Sequence, residues 1–273
     1  MKIIDTFIDI HKCYLNNRFE LENWIKYADS ISPTLADKLL NDIEGYDFQK
    51  DVLSILNEVP CKRDKMNFAH QSFLDLTSGL TERITSIFNT DIDVDIIFYL
   101  GLCNGAGWAT TLDDKPVVLL GVEKIIELSW YDKTNLAGLL YHELGHIWHD
   151  QTRSAACSRF KNDSLWQLYR EGIAMYVEQL LLNDLNFYHQ DNDGWLLWCD
   201  SNKTELLNEF LTRIKNQKAT IDFFGDWNNY KGKSDTGYFL GCELTKVLAK
   251  KYSMIELANI DEELFHTELC NAF

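Results

Sequence analysis

His142-Glu143-Leu144-Gly145-His146 constrains this chain more than any other stretch. H-E-x-x-H has chemical meaning on a helix, where it stacks two imidazoles one turn apart with a carboxylate between them. At roughly 100° per residue, His142 and His146 project within about 40° of each other. Leu136, Leu140, Leu144 and Ile147 form a separate apolar stripe at i, i+4, i+8 and i+11. One face packs while the other can bind metal. Asn135 to Gln151 therefore reads as a helix, with Asp132 or Thr134 as its N-cap. Gly138 and Gly145 each cost about 1 kcal/mol against alanine inside a helix. That cost is understandable where another backbone or a ligand passes close by.

Two histidines do not complete a catalytic zinc site, which takes three protein donors and keeps a fourth position for water. A metzincin-type pattern, H-E-x-x-H-x-x-G-x-x-H, is disfavoured, because His149 stands where its glycine belongs and Thr152 where its third histidine belongs. Downstream, Asp163 to Glu178 has apolar positions at 165, 169, 172, 173 and 176, continuing at 180, which follow helical spacing and leave Glu171 and Glu178 together on the opposite face. This segment resembles the second zinc helix of the gluzincin metallopeptidases, the thermolysin-like group, in which a glutamate on a following helix completes a His, His, Glu site. The matching residues are His142, His146 and Glu171, with Glu171-Gly172-Ile173-Ala174 standing where the family shows Glu followed by small residues. The resemblance covers mainly residues 95–180. Many gluzincins support a zinc-bound histidine with an aspartate four residues after the ligand glutamate. This chain has Met175 there, so the support falls to another group, with Glu178 the candidate.

The rest of the sequence sets the frame. A chain of 273 residues, 46% hydrophobic, can bury a sizeable core. Residues 1–90 carry helical patterns over Phe19 to Ser30, Pro33 to Ile43, Phe48 to Asn57 and Phe68 to Phe88, separated by Ser32-Pro33, Gly45 and Val59-Pro60. Asp93 to Leu100 and Pro116 to Val122 read as strands, with Gly105 and Gly107 marking a turn or bulge between them. The expected fold is α+β: mostly helical, with a small mixed or antiparallel sheet preceding the zinc helix. Residues 1–130 form an N-terminal lobe, and residues 131–273 a helical zinc-binding lobe. A formal charge of −16 excludes nucleic acid as an expected partner, since phosphate binding needs clustered Lys and Arg. Met1 to Leu15 mixes charged residues into its apolar positions, unlike a secretory signal, and Val117 to Val122 is far too short to span a membrane. Seven cysteines without a C-x-x-C pair argue against a disulfide framework. The expected compartment is a reducing cytoplasm, with no membrane partner.

In the gluzincin order, an edge strand beside the cleft pairs with substrate backbone. The resemblance implies Asn104 and Ala106, within Asn104-Gly105-Ala106-Gly107-Trp108, as substrate contacts. It also implies a tyrosine hydroxyl facing the oxyanion. Tyr238 in Thr236-Gly237-Tyr238-Phe239-Leu240-Gly241 is the candidate, with Tyr230 and His189 behind it. The aromatic patches Trp195 to Trp198 and Phe223 to Trp227 read as core. These readings predict a peptidase acting on peptide or protein substrates with one zinc per chain. His142, His146 and Glu171 hold the metal, Glu143 acts as general base and then acid, and Tyr238 assists. The alternatives are a zinc-stabilised binding or interaction protein with no need of Glu143, and a helical scaffold without metal.

Overall fold

The computed structural model describes residues 1–225 and 229–271. The chain is α+β and mostly helical, with a four-stranded mixed sheet and a two-stranded antiparallel ribbon. It divides into two compact units, Met1–Glu143 and Leu144–Phe273. Their boundary falls inside the H-E-x-x-H helix, beyond the lobe boundary read from the sequence.

The first unit is built on the larger sheet. Its strands are β1 (Lys2–Asp5), β2 (Tyr14–Leu15), β3 (Arg18–Phe19), β4 (Asp95–Tyr99), β5 (Gly107–Leu112) and β6 (Lys115–Gly121). β1, β4 and β6 lie parallel, β5 closes one edge antiparallel to β6, and β2 pairs with β3 as a separate ribbon. Ile96 to Phe98 and Val118 to Leu120 are all buried, the unbroken apolar run of parallel strands covered on both faces. β5 is a strand over Gly107–Leu112, where the glycines suggested a turn or bulge and the resemblance an edge segment at 104–108. It joins β6 through Asp113-Asp114, both in the left-handed region at φ 49° and 62°, the backbone of a type I′ turn. Ser32 Oγ and Thr34 Oγ1 donate to the Asp113 carboxylate at 2.8 and 3.1 Å and fix that turn.

The helices of this unit are α1 (Leu21–Ile31), α2 (Leu35–Asp42), α3 (Ser54–Leu56), α4 (Arg63–Thr77), α5 (Leu80–Phe88) and α6 (Val122–Glu127). A π-helical turn, Phe48–Leu53, leads into α3. The single helix expected over 68–88 is two helices, parted at Gly79 with φ +75°, a conformation that breaks a right-handed helix. α7 (Lys133–Thr152) carries the H-E-x-x-H motif. Asp132 is its cap, accepting the N–H groups of Thr134 and Asn135 at 3.0 and 3.1 Å.

The second unit continues with α8 (Asp163–Leu182), α9 (Trp195–Ser201), α10 (Lys203–Lys215), α11 (Thr236–Leu248), α12 (Met254–Ala258) and α13 (Glu262–Cys270). Trp195 is buried beside Tyr188 and Phe239, and Phe223 and Phe224 are buried as well, so these three rings are core, whereas Leu197 is 76% exposed and Leu196 and Trp198 are half-buried. Asp226 and Trp227 lie outside the described residues. Among the described residues, no helix is long and apolar enough to cross a membrane.

Glu123, in the first turn of α6, is buried with 1% of its surface exposed. Its carboxylate accepts the N–H of Gly101 at 2.8 Å and of Cys103 at 3.1 Å. The loop leading into β5 is thus wrapped around a carboxylate. Gly101 makes the room, since a Cβ there would lie 2.5 Å from Glu123 Oε1. Burial pushes the Glu123 carboxyl up from 4.5 to about 7, against N–H donors that favour the ionised form. A folded-state value above the ordinary one means that this contribution is fully present below pH 4.5 and is lost as pH rises through 7. Between those limits the wild type is expected to lose roughly 3 kcal/mol relative to Glu123→Gln, read as the pH dependence of urea midpoints. Parallel profiles for the two proteins would remove this assignment.

Candidate metal centre

Small residues set the spacing of the helices that build the site. A Cβ on Gly145 of α7 would lie 2.7 Å from Ala174 Cα and 3.1 Å from Val177 Cβ, so the α7 backbone rests directly on α8. On the other side of α8, a Cβ on Gly172 would meet the Gly241 carbonyl carbon at 2.5 Å and Thr245 Oγ1 at 2.8 Å. One on Gly241 would meet Leu168 O at 2.5 Å. Gly145, which weakens its helix by about 1 kcal/mol against alanine, is therefore a point of backbone contact. The small residues after Glu171 have the same explanation.

This packing brings the donors together. His146 follows Gly145, Glu171 precedes Gly172, and His146 Nε2 lies 3.2 Å from Glu171 Oε2. His142 completes the group from one turn earlier in α7. One ligand atom from each of His142, His146 and Glu171 lies within 4.8 Å of the others, with both histidines buried. The group could bind a metal ion, and it consists of the three residues named from the sequence.

Glu143 is outside that group. Its carboxylate turns to β5, where Oε2 accepts the Ala109 N–H at 2.7 Å. The approach is close because position 107 has no side chain: a Cβ on Gly107 would stand 2.8 Å from both Glu143 Cγ and Leu139 Cδ1. The Ala109 N–H points away from β6, and by the alternation of an antiparallel pair so do the backbone groups of Gly107 and Thr111. These residues form the free edge of the sheet. Asn104 and Ala106, expected as substrate contacts, are engaged elsewhere. The Asn104 amide donates to Leu39 O at 3.0 Å and Asp42 Oδ2 at 2.8 Å and accepts the Leu102 N–H at 3.2 Å. The Ala106 carbonyl accepts the Gly121 N–H at 3.0 Å, on the β6 side. Sequence reasoning missed the outward groups of Gly107 and Ala109. The signal was the β-branched run after Trp108, hidden by a turn without glycine.

The remaining candidates separate. Glu178 is fully buried, with both carboxylate oxygens within 3.0 Å of His189 Nδ1. The Tyr230 hydroxyl donates to Glu205 at 3.0 Å. Tyr238 is half-buried in the first turn of α11, with its ring edge-on to Phe224. His149 is buried, and desolvation, with Arg170 and Arg153 adding to it, pushes its imidazole down to about 3. His149 is therefore neutral, with Nε2 3.2 Å from the Tyr169 hydroxyl. Comparison with protein-family models, with curated proteins and with solved structures gives no match.

Glu171→Ala is expected to weaken divalent-metal binding by more than 100-fold in competition with a chelator. Glu178→Ala, which removes a carboxylate outside the donor group, is expected to cost at most about 10–100-fold. The opposite ranking would move the ligand to Glu178.

Proposed function

We propose that this chain is a zinc-dependent peptidase of gluzincin type that binds extended peptide along the free edge of β5 and hydrolyses it beside His142, His146 and Glu171. The donor set supports zinc: two imidazole nitrogens and one carboxylate oxygen suit that ion and leave a tetrahedral site one position open, as catalytic sites require. The spacing also fits. Two donors at about 2.0 Å on a tetrahedral ion stand roughly 3.3 Å apart, against 3.2 Å between His146 Nε2 and Glu171 Oε2. When bound, the metal would bring the pKa of a water toward neutrality and polarise the scissile carbonyl.

The observation that carries the reading is the hydrogen bond from Ala109 to Glu143. The carboxylate of the H-E-x-x-H motif is left out of the donor group and fixed to the strand on which a peptide would lie. A peptide added to β5 would exchange main-chain hydrogen bonds with Gly107 and Thr111. Glu143 would take the proton of the attacking water and pass it to the leaving nitrogen as the C–N bond breaks. The N–H of Ala109 would hold the carboxylate in place through both transfers. Tyr238, in the first turn of α11, stays the candidate oxyanion donor on the resemblance to the gluzincins. Tyr230 faces Glu205 and His189 faces Glu178.

Glu143→Gln keeps the shape and removes the proton acceptor. The variant is expected to retain one zinc per chain and lose peptide hydrolysis by about 10²–10⁴-fold, measured on a quenched peptide library with metal content determined in parallel. Full activity in that variant would rule out Glu143 as the general base, whereas bound zinc with no hydrolysis in the unaltered chain would favour the zinc-stabilised binding protein. Gly107→Ala should also lower kcat without loss of metal, because the new methyl group would displace the Glu143 side chain.

A further inference from the structure

A hollow in the first unit involves none of the residues assigned above. It encloses about 900 Å³, with an apolar floor that includes Phe7, Ile10, Val59 and Met66, and Arg63 and Asn67 on its wall. That size suits a small organic molecule. Arg63 and Asn67 stand four residues apart on α4, so their side chains are neighbours. Both are exposed, and Arg63 has no carboxylate partner among the described residues. The acid that lines the same hollow is already engaged: Asp5 accepts the Phe7 N–H at 3.0 Å and lies 2.6 Å from His70 Nε2. The His70 ring is stacked on Phe7 at 4.0 Å, which holds the pair in place. His11 turns Nδ1 to Ile8 O at 2.6 Å. Ile8 also lines the hollow, yet 79% of its surface is open to water.

We infer that this hollow binds a monoanionic amphiphile, its carboxylate paired with Arg63 and its hydrocarbon tail laid over Phe7, Ile10 and Met66. A guanidinium fork matches a carboxylate in two parallel hydrogen bonds, and the Asn67 amide one turn on can add a third. The sign of the ligand follows from which charge is uncompensated. The chain as a whole, at −16, repels anions, so an anion is retained where a free guanidinium and an apolar floor act together. A cationic amphiphile would meet Arg63 directly and find Asp5 already bonded. The exposed side chain of Ile8 extends the floor outward and would cover the proximal part of the tail.

Titration calorimetry of the full chain with sodium decanoate, decan-1-ol and decylammonium chloride, each below its aggregation concentration, tests the site. One decanoate per chain is expected, with decylammonium at least tenfold weaker. Arg63→Gln should lower decanoate affinity about tenfold, to that of decanol, without changing the melting temperature, because Arg63 is exposed. Ile8→Glu places a negative charge at the mouth and should weaken decanoate by a similar factor, and it decides the matter if Arg63→Gln proves unstable. Equal binding of decanoate and decylammonium, several decanoates per chain, or unchanged decanoate affinity in both variants would overturn the inference.

Discussion

The distance between α7 and α8 governs the His142, His146, Glu171 group, and the missing side chain at Gly145 governs that distance. Helix axes ordinarily lie 8–10 Å apart, as their interface side chains dictate. Here the α7 backbone touches Ala174 directly, and the donors of His146 and Glu171 lie 3.2 Å apart. A branched residue at 145 would push the helices apart, and donors that now lie within 4.8 Å of one another would separate. α8 has little room to retreat, since Gly172 and Gly241 bring α11 against its other side. Beyond the last turn of α7 a polar anchor adds to this. Arg153 donates to the Tyr169 hydroxyl and to the carbonyls of Ala258 and Ile260, while Tyr169 donates to Leu257 O at 2.6 Å.

Four glutamates with little exposure have four different fates, each set by what their surroundings offer. Glu123 meets backbone N–H groups and holds the loop before β5. Glu178 meets a histidine and ties α8 to the connection that follows it. Glu171 meets a histidine as well, in a group of three that can take a cation. Glu143 meets one neutral N–H. Residue type alone does not separate these roles, since the side chains are chemically identical. The neighbours do so, by deciding whether the negative charge is compensated in place or left available.

Much of this was legible in the sequence, and what was not has physical reasons. The H-E-x-x-H helix and its start, with Asp132 as one of two cap candidates, could be read because a long amphipathic period and a capping residue are local signals. Glu171 was legible only through its small neighbours, whose close packing on α7 and α11 explains why they are small. β1 has four residues, too few for a period. β5 was hidden because Asp113-Asp114 takes up a left-handed turn with tertiary help from Ser32 and Thr34, residues distant in sequence. Asn104 was a candidate substrate contact only through the resemblance, and its hydrogen bonds to Leu39 and Asp42 on α2 join residues too distant in sequence to be read from it. Ala106 and Ala109 differ only in which way the backbone faces, and that depends on strand register.

The environment of Glu143 bears on the choice between a catalytic and a merely structural metal. A carboxylate with 8% of its surface exposed loses most of its hydration, and one hydrogen bond from a neutral amide recovers only part of that loss. In a protein that used metal solely to join two helices, an apolar residue at 143 would pack against Gly107 and Leu139 at lower cost. The structure instead spends a glycine on the strand to admit the carboxylate. Such an arrangement stabilises neither the sheet nor the helix by itself. It has an evident use where a proton must be received and handed on at a fixed point beside both the donors and the strand edge, which is why the peptidase reading is preferred to the structural one.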